Sequence, residues 1–157
     1  MSRATKMGLS AAIALALSAA IAHAGEGWRF LERDDLASAG AYWASRADSG
    51  DIDAMSGLAH IAALRGEHAS AALWLHQAAA AGHTPSLVLL ASAYLEGRGV
   101  PRDPRLAYAW YHLASIEGLI HAARARDFAG GWLTAEQSAE ARALAARWQA
   151  DGAPDAP

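Results

Sequence analysis

The sequence predicts an all-helical chain, a short superhelical solenoid of antiparallel helix pairs with capping helices at its ends. Three observations carry this. The composition is rich in Ala, Leu and Gly, 54% hydrophobic and 18% charged, and Ala favours helix because it gives up no side-chain entropy there. No stretch alternates apolar and polar residues as a half-buried strand does. A segment of helical periodicity recurs, and stacked recurrences are how a hairpin too small to fold alone buries its apolar face.

Residues 1–24 read as a secretory signal. Arg3 and Lys6 form the charged start, Gly8 to Ile21 is an apolar run, and Ala22-His23-Ala24 places small residues where a signal peptidase inspects the chain. The alternative is an uncleaved anchor, but the run is shorter than the roughly 20 residues a spanning helix needs. Export combined with the absence of cysteine suits the periplasm of a Gram-negative bacterium, or release to the medium. Without Arg3 and Lys6, eleven arginines face sixteen acids, a net charge of -5. An acidic chain without a basic stripe is a poor partner for nucleic acid or anionic lipid. With no cysteine, disulfides, thiolate zinc sites and Cys nucleophiles are excluded.

The repeat domain spans 25–149. A half-repeat at 35–49 comes first, a lone helix on which Asp35, Ala39 and Tyr42 take the places of Asp103, Ala107 and Trp110 in the later unit. Two full repeats follow, 50–82 and 83–118. Counting forward from their opening glycines, Met55, Leu58, Ala59 and Ala62 match Leu87, Leu90, Ala91 and Tyr94. Counting back from the closing glycines Gly82 and Gly118, Ala71, Trp74, His76 and Ala78 match Ala107, Trp110, His112 and Ala114. Offsets of three, four and seven put each set on one helix face. Gly97 and Gly99 supply the positive φ of a helix end, Val100 is placed to plug the turn, and Asp103 with Pro104 makes an N-cap and first helical position. A C-terminal cap covers 119–149: a helix at 120–129 with Arg126 where Leu58 and Leu90 stand, a break at Gly130-Gly131, and a last helix opened by the Thr134/Gln137 capping box. Arg126 implies that the first of these is either rotated or a polar cap. Residues 150–157 are expected to be a flexible tail.

No catalytic constellation emerges. The chain has no Gly-x-Ser-x-Gly, and pairs such as Asp34-Asp35 and Asp51/Asp53 suit helix starts, where carboxylates favour the dipole. Beyond His23, six histidines remain, none in an i, i+4 pair, so no metal is expected and the histidines read as helix surface. No cofactor is indicated. Trp74, Trp110 and Trp148 fall on core faces, whereas Trp28, Trp43 and Trp132 lie near unit ends, as interface aromatics or end caps. A partner groove would run along the first helices of the units, with Ser56 and His60 in one and Val88, Ser92 and Glu96 in the next.

The run Ala93 to Val100, followed by Asp103, Ala107, Trp110, Tyr111, Ala114 and Gly118, resembles the Sel-1-like repeat family, relatives of the tetratricopeptide repeat with a longer loop. The first unit keeps Ala71, Trp74, Ala78, Ala79 and Gly82 but lacks the Gly-x-Gly-Val loop, and Leu133 to Gln137 with Leu144, Ala145 and Trp148 is similar to the closing helix of bacterial members. The resemblance implies an exported protein-interaction or scaffold module holding a protein partner in its groove or at its ends. Some cysteine-rich relatives are linked to β-lactams, so the alternative that it implies is a weak cell-wall or β-lactam hydrolase. Two full units lie near the lower limit of about three for a stable stack, which makes a homo-oligomer one reading and a self-sufficient monomer the other.

Overall fold

The computed structural model describes residues 25–153. The export signal read at 1–24 and the last four residues lie outside them. Among the described residues there are eight helices and no strands: α1 (Glu26–Glu32), α2 (Leu36–Ala47), α3 (Ile52–Leu64), α4 (His68–Ala80), α5 (Thr84–Glu96), α6 (Pro104–Ile116), α7 (Ile120–Gly130) and α8 (Ala135–Asp151). Each helix from α1 to α6 packs on its successor, and α8 turns back along α6. None of them is long and apolar enough to cross a membrane.

Local chemistry sets the boundaries. Asp35, Asp51 and Asp103 each cap a helix with a carboxylate that accepts backbone N–H groups, from Ser38, Ala54, and Arg105 with Leu106. Capping holds the Asp35 carboxyl below its ordinary range, chiefly through the Ser38 bonds. At the start of α8 both halves of the capping box are present: the Gln137 N–H donates to Thr134 Oγ1, and the Thr134 N–H donates to Gln137 Oε1. Gly97 ends α5 in the left-handed region, and the Arg98 N–H reaches back to the Ala93 carbonyl. That bond is the long closure of a Schellman turn, which needs a residue free of a Cβ penalty at this point.

The core has two parts. The larger joins α3 through α8 around Trp110, which is 1% exposed, with Leu75, Leu90, Tyr94, Tyr111 and Leu113. The smaller, at the N-terminal end, surrounds Trp43 with Ala39, Ala54 and Ile61. Trp74 is partly buried against both and joins them. At the seams, Ala59, Ala71, Ala91 and Ala107 are buried, and their small side chains let the helices approach.

Several details differ from the sequence reading. The half-repeat helix does not close the N-terminal end, because α1 precedes it and packs on it. Trp43 is no unit-end aromatic: it is 2% exposed, bedded against Gly27 of α1 and Gly57 of α3, where an added Cβ would collide with its ring. His76 is buried rather than on a helix surface. The helix α7 is not rotated. It buries Ala122 and Ala129, at the repeat positions of the buried Ser86 and Ala93 of α5, and carries half-buried Arg126 at the place of Leu90. It is thus the polar cap a terminal repeat requires. The last helix runs to Asp151, two residues past Gln149.

Candidate functional site

A cavity of about 330 Å³ opens between the first three long helices after the half-repeat and the tip of α1. Three helical stripes build it. From α3 come Ser56, Ala59, His60 and Ala63; from α4, His68, Ala71, Ala72 and Leu75; from α5, Leu89, Ser92 and Ala93. Within each stripe the spacing is three, four or seven, so a single helix face turns toward the space. Alanine is the commonest wall residue, at five of these eleven positions, and its methyl groups stop short of the centre, which leaves the space. The result is an apolar chamber of ligand-site size with a few polar groups at its mouth, the usual composition of a binding site.

The mouth is aromatic and basic. Trp28 stands beside His60 with ring centroids 5.7 Å apart and leans on Trp43 at 4.9 Å. Arg98 enters from the α5–α6 loop. That loop is held hard against the start of α4: a Cβ on Gly99 would lie 2.0 Å from the His68 carbonyl oxygen. Ser92 Oγ lies 2.7 Å from the Tyr111 hydroxyl, which fixes it on the core side of the wall.

Of the residues expected to line a groove, the structure brings Ser56, His60 and Ser92 into this one chamber. Glu96 stands outside it and pairs with Arg98 at 2.6 Å. Val88 turns away and packs on the core. Trp28, one of the unit-end aromatics, joins the lining, as do His68, Leu89 and Arg98, which the sequence reading does not include. Leu89 and His68 share the periodicity of their helices and could have been found by extending the stripe. Trp28 required the unrecognised α1.

Two buried polar groups lie elsewhere. His76 Nε2 is 2.8 Å from the Tyr94 hydroxyl, and its ring stands edge-on to Trp110. Its Nδ1, like that of His112, is buried with no hydrogen-bond partner. Burial lowers the pKa of both histidines, and at His112 the charges of Arg126 and Arg142 lower it further. Burial also raises that of Tyr94.

One arrangement imitates a hydrolytic triad. His83 Nδ1 is 2.7 Å from Ser86 Oγ, and Asp53 Oδ1 is 4.0 Å from His83 Nε2. Ser86 is 0% exposed, so no substrate carbonyl reaches its hydroxyl. The contact joins the N-cap residue of α5 to its third helical residue, and it is part of a helix start. Among the described residues no group of three or more His, Asp or Glu is placed to hold a metal ion.

The alternating antiparallel helices, with one face of several of them turned to a common chamber, define a helical-repeat fold. More narrowly, the fold is the Sel1-like repeat fold. The chain is similar to a protective antigen present in uropathogenic Escherichia coli strains, whose crystal structure displays an SLR (Sel1-like repeat) fold. The TM-score is 0.73 at 27% sequence identity, over 88% of this chain and 34% of that one. The chain thus spans about a third of that protein's length. No family model matches the chain, and no curated protein does.

Proposed function

We propose that this protein is an exported binding module that holds a segment of a protein partner in the chamber between α3, α4 and α5. The observation that carries this reading is the chamber itself: a largely apolar space of about 330 Å³ on a Sel1-like helical-repeat fold. Rigid helices hold its walls, so binding demands little ordering of the protein. Export is read from the charged start, apolar run and Ala-x-Ala of residues 1–24. The periplasm is the favoured location and an envelope protein the favoured partner.

A photoreactive side chain at Leu89, inside the chamber, is compared in living cells with one at Leu73, which is exposed outside it. A discrete crosslinked product from Leu89 and none from Leu73 is expected. Equal capture from both positions, or none from Leu89, sinks the reading. Fractionation tests export: the processed chain should start at Gly25 and leave the cytoplasm, and full-length cytoplasmic protein overturns that part.

A further inference from the structure

We propose that the α5–α6 loop is a two-arginine clasp, and that the segment it holds is an acidic stretch of protein with a large apolar side chain. This rests on the reading of the chamber as a binding site and specifies what enters it. The loop presents its arginines in two directions. Arg98 joins the chamber lining. Arg102, whose Nε donates to the Leu95 carbonyl, lays its guanidinium over the Trp132 ring, 4.8 Å from the centroid. The loop therefore bridges the chamber and the aromatic surface of the C-terminal cap.

The repeat register puts this surface on the equivalent helix face, with Phe128 at the position of the chamber-lining His60 and Ser92. Six, ten and fourteen positions after the opening glycines stand Ser56, His60 and Leu64 in the first unit, and Val88, Ser92 and Glu96 in the second. In the third they are Arg124, Phe128 and Trp132. Phe128 and Trp132 are 66% and 58% exposed, an apolar surface on an element otherwise built as a polar cap.

Charge supplies the identity of the occupant. The chain from residue 25 onward carries a net -5, yet the loop and this helix face gather Arg98, Arg102 and Arg124 against Glu96 and Asp103. Glu96 is matched by Arg98 at 2.6 Å, and Asp103 caps α6 and pairs with Arg105 at 3.6 Å. Among the described residues no carboxylate lies within ion-pair distance of Arg102 or Arg124. A local cationic excess on an acidic protein selects an acidic segment and repels more basic ones. The largely apolar chamber adds the need for an apolar side chain, and Phe128 and Trp132 offer it a second foothold.

Fluorescence polarisation with three short labelled peptides tests this on the processed protein. One has Asp and Glu around a central Leu-Phe pair, the second replaces every acid with Lys, and the third replaces Leu-Phe with Ser-Ser. The first should bind at least about tenfold more tightly than either other, with an affinity that falls as salt rises. R98A/R102A should lose about tenfold for the first peptide while keeping the wild-type melting temperature, and R98E/R102E should turn the preference toward the lysine peptide. Three results overturn the clasp: equal binding of the acidic and lysine peptides, unchanged binding by R98E/R102E, or displacement of the acidic peptide by a single-stranded oligonucleotide at lower concentration. If Leu89 still captures a discrete partner in cells when the peptides fail, the binding module stands and the clasp falls. If Leu89 captures nothing, the chamber itself fails as a site.

Discussion

The Tyr94 hydroxyl and His76 Nε2 meet at 2.8 Å between α5 and α4, in the heart of the larger core. The opposite nitrogen, Nδ1, has no partner. A neutral ring tolerates this, since one nitrogen serves Tyr94 and the other can remain a bare lone pair. A protonated ring cannot, since both nitrogens then carry hydrogens and one N–H is left buried and unmatched.

Stability is therefore expected to fall on acidification. Burial depresses the pKa of folded His76 below its ordinary value of 6.5, and His112 shifts the same way. With the folded pKa below the unfolded one, the unfolded chain binds more protons in the interval between them, so stability rises with pH there. The contribution is fully present above about pH 6.5 and is lost as pH falls toward the depressed folded value. Urea midpoints between neutral and mildly acidic pH check this. His76→Gln, which can still bond Tyr94, should flatten the decline, and an unchanged slope argues against His76 as its source.

Gly57 and Gly40 form a matched pair within helices. Replacing a mid-helix glycine with alanine ordinarily stabilises by about 0.5–1 kcal/mol. Gly40 should follow that rule, because its new methyl would meet only Ile61 Cδ1 at 3.7 Å. At Gly57 the methyl would lie 2.3 Å from the Trp43 ring, which Gly27 also crowds. Trp43 has nowhere to retreat, so Gly57→Ala should destabilise by about 1–3 kcal/mol despite the helical gain. Thermal melts of the two variants should move in opposite directions.

The tryptophans separate by depth. Trp110 stacks on Trp148 with centroids 4.3 Å apart and touches His76 edge-on. Trp110→Ala should destabilise by about 3–5 kcal/mol through the cavity it leaves. Trp132 gives its exposed face to solvent and Arg102, so Trp132→Ala should change stability by no more than about 0.5 kcal/mol. Equal losses in chemical denaturation contradict this assignment of core and surface.

The helical hairpins were legible because their signals are local and redundant. Asp103, Pro104, Gly97 and the Thr134/Gln137 box act within a few residues, and the repeat states the apolar face twice. What escaped depends on contacts distant in sequence. Glu26–Glu32 is too short to show a period, and it stands as a helix where Gly27 lets it press on Trp43. His76 reads as surface from its polarity, because its partner Tyr94 lies eighteen residues away and leaves no mark on the local pattern. For the chamber, the helix face containing Ser56, His60 and Ser92 was readable. That Glu96 would turn aside to Arg98 depends on how the loop folds, which no periodicity encodes.

The glycines of that loop and of the α4–α5 turn differ in what surrounds them. Gly99 and Gly82 both take positive φ, +75 and +90. Alanine at Gly82 meets nothing within 4 Å, so it bears only the left-handed backbone penalty of roughly 1–2 kcal/mol. Alanine at Gly99 bears the same penalty and also drives its Cβ to 2.0 Å from the His68 carbonyl oxygen. That atom belongs to the backbone at the start of α4 and cannot rotate away, so the loop must lift. Gly99→Ala should therefore lose about 1–3 kcal/mol more than Gly82→Ala, an overpacking penalty added to the backbone one. It should also displace Arg98 from the chamber and weaken the acidic peptide, while Gly82→Ala leaves peptide affinity intact at temperatures where both remain folded. Equal stability losses, or full peptide affinity in Gly99→Ala, would show that the loop does not depend on this contact for its place.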